Sequence, residues 1–170
     1  ATEFQPEDIV GSWKMEPVAG ALGVGPASGD ISWFSTNEDD ITARACYFDD
    51  VYTFDVNGSY SYEMDGSTWV ETWQEGVTAD GCGTPVAPHD NSGSYTYEAT
   101  ATTIKLNGEG AFIGLAKAVN AGELSNAEIM LPSDVTYTVK RYSVTNDGKK
   151  FLTLEIQAGT AFWTYRLVSE

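Results

Sequence analysis

The sequence predicts an all-β domain of about eight to ten antiparallel strands with almost no helix. Three observations point there. Short segments alternate apolar and polar residues, as in "DVYTFDV" and "SYSYEM". Turn signals such as Asn57-Gly58 separate them. No apolar stripe at helical spacing runs for a useful length. Strands of this kind bury their apolar faces either as a barrel or as a two-sheet sandwich.

The elements follow in order. "PEDIV" (6–10) predicts one short helical turn, with Pro6 at its start and acids in its first turn. "GSWKMEP" (11–17) is a first strand. The Gly-rich "GALGVGPASGD" (20–30) lacks the Gly-Lys-Ser ending of a phosphate loop. Residues 50–64 form the clearest hairpin. Tyr52, Phe54 and Val56 alternate going out, and Tyr60 and Tyr62 alternate coming back. "STWVETWQEG" (67–76) reads as a strand with Trp69, Glu71 and Trp73 on one face, the two indoles roughly 13 Å apart. A long loop holding Cys82 spans 76–93. Residues 94–100 and 102–108 form another hairpin. Residues 110–134 break the rhythm, as a short helix or a lid-like loop. Residues 135–145 and 151–157 flank the turn "NDGKK". Residues 160–168 close the chain, with Phe162 and Trp163 on opposite faces. No repeat or linker divides residues 1–170, which read as a single domain.

Hydrophobic residues make up 42% of the 170, enough for a core. No run of 18 apolar residues offers a membrane-spanning segment. The absence of an initiator Met and of a signal peptide suggests a processed chain or a module of a larger multidomain protein. The net charge of −16 is uneven: residues 1–95 carry 17 acids against Lys14 and Arg44, and the remainder carries eight acids and seven bases. Such a field makes nucleic acid and anionic membranes poor partners. Neutral ligands and cations remain open. The plain alternative is that acidity serves solubility.

A single His and two Cys argue against a zinc site on counting alone. Cys46 and Cys82 form an even pair in an acidic, lysine-poor chain, which suggests an oxidising compartment. A disulfide between them would contribute about 4 kcal/mol by loop closure. Two separate buried thiols are the alternative.

Three sets of residues carry a resemblance. Gly11-x-Trp13 follows the helical turn, and Arg166 lies on the last strand. "CYFDDVYTFDVNGSYSY" (46–62) and "GSYTYEATATTIKL" (93–106) are similar to segments of lipocalin-like, calycin-type domains of secreted and lipid-anchored bacterial proteins. "GALGVGP", "SWFS" and "CGTPVAPHD" resemble modules found beside polysaccharide-degrading and glycan-capture proteins. The resemblance implies an antiparallel up-and-down β-barrel of lipocalin-like type and a secreted or cell-surface location. In it, Trp13 would close the barrel base and Arg166 would stack across its ring. Insertions at 20–45, 66–92 and 110–134 would form long loops at one or both rims.

The aromatic residues of the acidic half are candidates for sugar stacking: Trp33, Phe34, Trp69 and Trp73. Glu71, His89 and Asp90 are candidates for hydrogen bonds to hydroxyls. The alternative places Trp69 and Trp73 in the core and His89 as a plain loop residue. Asp49 and Asp50 are neighbours and would face opposite ways on a strand. "NEDD" (37–40) and "HDNSG" (89–93) offer oxygen ligands, so Ca²⁺ is possible, although neither matches an EF-hand loop. No catalytic residue and no other cofactor is indicated. The expected role is non-catalytic binding of a neutral or weakly charged polysaccharide or oligosaccharide. One alternative is a carrier with an apolar cavity lined by Phe54, Tyr60 and Tyr62. Another is a hydrolase, which needs two carboxylates about 5–9 Å apart in a cleft.

Overall fold

Alternation along the strands sorts the side chains to two sides, and the described residues, 3–126 and 131–170 of a computed structural model, fold accordingly. The first strands are β1 (Gly11–Met15), β2 (Leu22–Gly25) and β3 (Phe34–Ser35). Two short helices follow, α1 (Glu38–Ala43) and α2 (Ala45–Phe48). Next come β4 (Val51–Phe54), β5 (Ser59–Glu63), β6 (Thr68–Val70), β7 (Gly81–Gly83), β8 (Tyr95–Ala99) and β9 (Thr103–Asn107). The last are β10 (Ala118–Val119), β11 (Gly122–Glu123), β12 (Asp134–Val144), β13 (Lys150–Ala158) and β14 (Ala161–Ser169).

β1, β4, β5, β8, β9, β12, β13 and β14 pair in that order, every pair antiparallel, and β14 returns to β1. These strands make a closed up-and-down barrel, compatible with the lipocalin-like architecture. β14 shares its outer edge. Leu167–Ser169 pair with β1, and Phe162–Tyr165 pair with β2, on which β3 is added. β6–β7 and β10–β11 are separate small hairpins.

In such a meander, successive connections leave alternate ends. The short turns at 55–58, 100–102 and 145–149 therefore share one end. The three long connections, 16–50, 64–94 and 108–133, all leave the other, so the insertions occupy one rim. The Asn57-Gly58 turn closes as expected: the Gly58 N–H donates to Asp55 O at 3.0 Å, with Gly58 at φ +95°. Val56 belongs to this turn, not to the strand, and is 83% exposed.

The turn at Pro6–Ile9 caps the short-loop end. The Trp13 indole N–H donates to Ile9 O at 2.8 Å, and Phe4 packs edge-on to Tyr142 at 5.3 Å. Arg166 does not stack on Trp13. Strand parity turns Trp13 inward, where it is buried, and Arg166 outward, where it pairs with Glu16 at 3.2 Å. The cation at the cap is Lys150, which donates to Asp8 O at 3.2 Å.

The barrel interior is filled by aromatic rings and by the loop at 110–115. Tyr60 OH donates to Phe112 O at 2.5 Å, Tyr62 OH donates to Gly110 O at 2.8 Å, and the Ile113 N–H donates to Tyr137 OH at 2.9 Å. The loop approaches so closely that a Cβ on Gly114 would fall 2.4 Å from the Tyr165 ring. Residues 110–126 contain β10 and β11 and no helix. The rest of the predicted irregular segment, 127–130, lies outside the described residues.

The segment 67–76 departs from its sequence pattern. β6 ends at Val70, and the chain turns through 71–76, so Trp69 and Trp73 do not share a strand face. A disulfide joins Cys46 on α2 to Cys82 on β7, tying the first insertion to the second across 36 residues. Reduction should lower the unfolding free energy by about 4 kcal/mol. Urea titrations with and without reductant measure this, and an unchanged midpoint would show that the crosslink adds nothing.

Candidate functional site

The three insertions meet at the open rim around a few charged and aromatic side chains. On the first, the β2–β3 arm carries Trp33 and Phe34, which are 58% and 36% exposed. α1 opens with a capping box in which the Asp40 N–H donates to Asn37 Oδ1 and the Asn37 N–H donates to Asp40 Oδ2. That use of Asn37 and Asp40 occupies two of the oxygens read as possible Ca²⁺ ligands. Arg44 follows α1. Its guanidinium lies 4.0 Å over the Trp69 ring and 5.3 Å from the Phe34 ring, so one cation joins the first insertion to the second.

The second insertion bends where β6 ends. The Glu71 N–H donates to the Gln74 side chain at 3.1 Å, and the Thr72 N–H donates to Asp80 Oδ1 at 2.9 Å. This bend swings Trp73 back, so both indoles point their N–H groups at one carboxylate. Trp69 donates to Glu71 Oε2 at 3.4 Å, and Trp73 donates to Glu71 Oε1 at 3.3 Å. From the third insertion, Lys117 reaches Glu71 Oε1 at 3.5 Å and Glu123 Oε1 at 3.9 Å. Lys117 also lies 5.4 Å from the Trp163 ring centre, and Trp163 donates to Glu123 Oε2 at 3.0 Å. The second insertion, the third insertion and β14 are thereby joined through polar contacts.

Two clefts adjoin this junction and share Glu71, Lys117 and Glu123. One, of about 350 Å³, is flanked by Trp33, Phe34, Arg44 and Trp163. The other, of about 280 Å³, is flanked by Thr72, Trp73 and Asp80. These adjoining clefts, with their aromatic and charged lining, are together called the groove below.

Of the residues singled out in the sequence, Trp33, Phe34, Glu71 and Trp73 line this groove. Trp69 sits one layer behind, half-buried, with a face under Arg44. His89 is buried, edge-on to Trp73 at 5.6 Å and to Phe112 at 5.8 Å, and burial pushes its imidazole pKa down to about 4. Asp90 lies in the neighbouring loop, where Asp90 Oδ1 accepts from the Ser92 N–H at 3.2 Å. Among the described residues, no group of three or more His, Cys, Asp or Glu is placed to hold a metal ion.

Arg44, Lys117, Glu123 and Trp163 join the site without having been singled out. A faint signal existed for two of them. Arg44 is one of two bases before residue 95, and Lys117 stands alone between Lys105 and Lys140.

Behind the groove, Asp50 anchors β6. Thr68 Oγ1 donates to Asp50 Oδ2 at 2.5 Å, and Asp50 is buried while Asp49 is exposed. Burial pushes the Asp50 carboxyl up to about 8, the nearby Asp49 adds to the rise, and the Thr68 bond opposes it.

The signs of these shifts set a pH dependence. Asp50 is raised above its unfolded value of 3.8, so its contribution is full below that value and is lost as pH climbs towards 8. His89 is depressed from 6.5, so its contribution is full above 6.5 and is lost as pH falls towards 4. Each changes stability by at most roughly 1.4 kcal/mol per pH unit inside its window. Asp50→Asn should therefore gain in melting temperature relative to the parent as pH rises from 4 to 8, and His89→Gln should gain relative to the parent as pH falls from 6.5 to 4. Thermal melts across that range check both. A constant Asp50→Asn difference would show that the carboxyl ionises normally.

No protein-family model matches this chain and no curated protein matches it, and the function of the groove rests on its own geometry.

Proposed function

We propose that the groove binds a neutral or weakly charged polysaccharide or oligosaccharide without chemically altering it, as a secreted or cell-surface module. The observation that carries this reading is the placement of exposed Trp33 and Phe34 beside Glu71, Lys117 and Glu123 in one cleft. The C–H face of a sugar ring stacks on an aromatic face, and its rim of hydroxyls accepts hydrogen bonds from an ammonium group and donates them to carboxylates. Arg44 and Lys117 balance Glu71 and Glu123, so the cleft favours a ligand without strong charge.

Two features favour binding over hydrolysis and over carriage. Glu71 and Glu123 do converge on Lys117, yet each of their four carboxylate oxygens already faces an indole N–H or the ammonium. Both carboxylates are thus held in place by neighbouring donors, with lone pairs left to accept from sugar hydroxyls, which supports a binding role. Inside the barrel, Tyr60 and Tyr62 are bonded to the 110–115 loop, and Phe54 packs on Tyr60 at 4.9 Å, so these rings serve as filling. The disulfide agrees with an oxidising compartment.

Each aromatic stack contributes on the order of 1 kcal/mol, so short sugars should bind with millimolar to micromolar affinity. A panel of neutral and charged polysaccharides in affinity gels, followed by titration calorimetry with oligosaccharides, tests the reading. Trp33→Ala should weaken binding about tenfold with little change in melting temperature. Trp69→Ala should act mainly by lowering the melting temperature. Retention by no polysaccharide, or retention that Trp33→Ala and Trp73→Ala leave unchanged, would overturn it.

A further inference from the structure

The outer wall of β12, β13 and β14 carries an arrangement unrelated to the groove. The β12–β13 register slips between Val139 and Arg141, a β-bulge at Lys140. The slip leaves Lys140 and Arg141 both exposed between the inward Val139 and Tyr142, so two consecutive cations face the same side. Registry then continues across the wall. Arg141 pairs with Thr153, and Thr153 pairs with Arg166. The two arginines therefore flank one threonine in a single row, their backbones about 10 Å apart across two strand spacings. They border a concavity of about 550 Å³, lined also by Lys140, Ser143 and Thr164. Three of the nine basic residues in a chain of net charge −16 gather at this one place.

We infer that this wall holds a binding site for an oxyanion, a sulfate or carboxylate group, seated between Arg141 and Arg166 over Thr153. The guanidinium fork suits planar and tetrahedral oxyanions, which accept paired hydrogen bonds from it. Arg141 has no hydrogen bond or ion pair among the described residues, so its donors are open. Two acids face the site, and both are engaged. Glu155 is buried and accepts from Ser28 Oγ and the Gly29 N–H, each at 2.8 Å, with Lys140 at 4.0 Å. Glu16 pairs with Arg166 at 3.2 Å through one guanidinium nitrogen, Nη2. Thr164 Oγ1, on the same lining, is buried without a partner. The acid-rich rim is screened from this wall beyond about 8 Å at physiological ionic strength.

The site stands independently of the groove, and the test separates them. Inorganic sulfate is titrated into the folded chain while the arginine side-chain N–H signals are followed by NMR. Arg141 and Arg166 should shift together, saturably, with the other cations moving little. Arg141→Gln and Arg166→Gln should each weaken sulfate binding at least tenfold at unchanged melting temperature, and Trp33→Ala should not weaken it. A sulfated disaccharide and its desulfated counterpart form the second arm. Tighter binding of the sulfated sugar than of inorganic sulfate assigns the oxyanion to a carbohydrate. Equal affinity assigns it to the free ion. Equal shifts at all cations, or unchanged sulfate affinity in Arg141→Gln, would overturn the site.

Discussion

The open rim depends on the carboxylate of Glu71. It receives two indole N–H groups and an ammonium, drawn from two of the three long insertions. A part-buried acid is less costly with such partners, and the part-buried indole donors would lose their bonds without it. Each group therefore makes the others tolerable. The bend after β6, held by Gln74 and Asp80, brings Trp73 to this acceptor, and the third insertion meets it through Lys117.

The barrel supplies the frame in which that contact can form. A meander with short turns at one end must send its remaining connections to the other. The capped base and the elaborated rim are thus consequences of topology. Within the wall, tyrosine hydroxyls bond to the backbone of the inserted 110–115 loop, which satisfies polar groups that would otherwise be buried without partners. The rim loops then rest on a filled interior and are tied sideways by Cys46–Cys82 and by Arg44 between Phe34 and Trp69.

Much of the frame was legible in the sequence, because period-two alternation and an Asn-Gly turn are local signals. The β4–β5 hairpin and the strands around it follow from them. The rim was less legible. "TWVETW" alternates like a strand, but nothing local announces that Gln74 and Asp80 will bend it after Val70. The expected stacking of Arg166 on Trp13 failed for a similar reason: parity along β14 is fixed by pairing with strands far away in sequence. Lys117 meets Glu71 and Glu123 only in three dimensions, across a stretch with weak periodicity. Trp33 and Phe34 were identifiable as aromatic residues in a polar loop, though their exposure became visible only with the fold.

The ten-stranded sheet runs out at β3, which is two residues long and registers on Gly23 and Val24 of β2, with flanking backbone bonds from the Trp33 N–H to Val24 O and from the Thr36 N–H to Leu22 O. Exposed aromatic rings at the margin of a long, flat strand would invite another chain to add itself by backbone pairing. Here the ladder stops almost as soon as the rings begin. The molecule exposes aromatic side chains there while presenting very little main chain for a stray β-partner to copy.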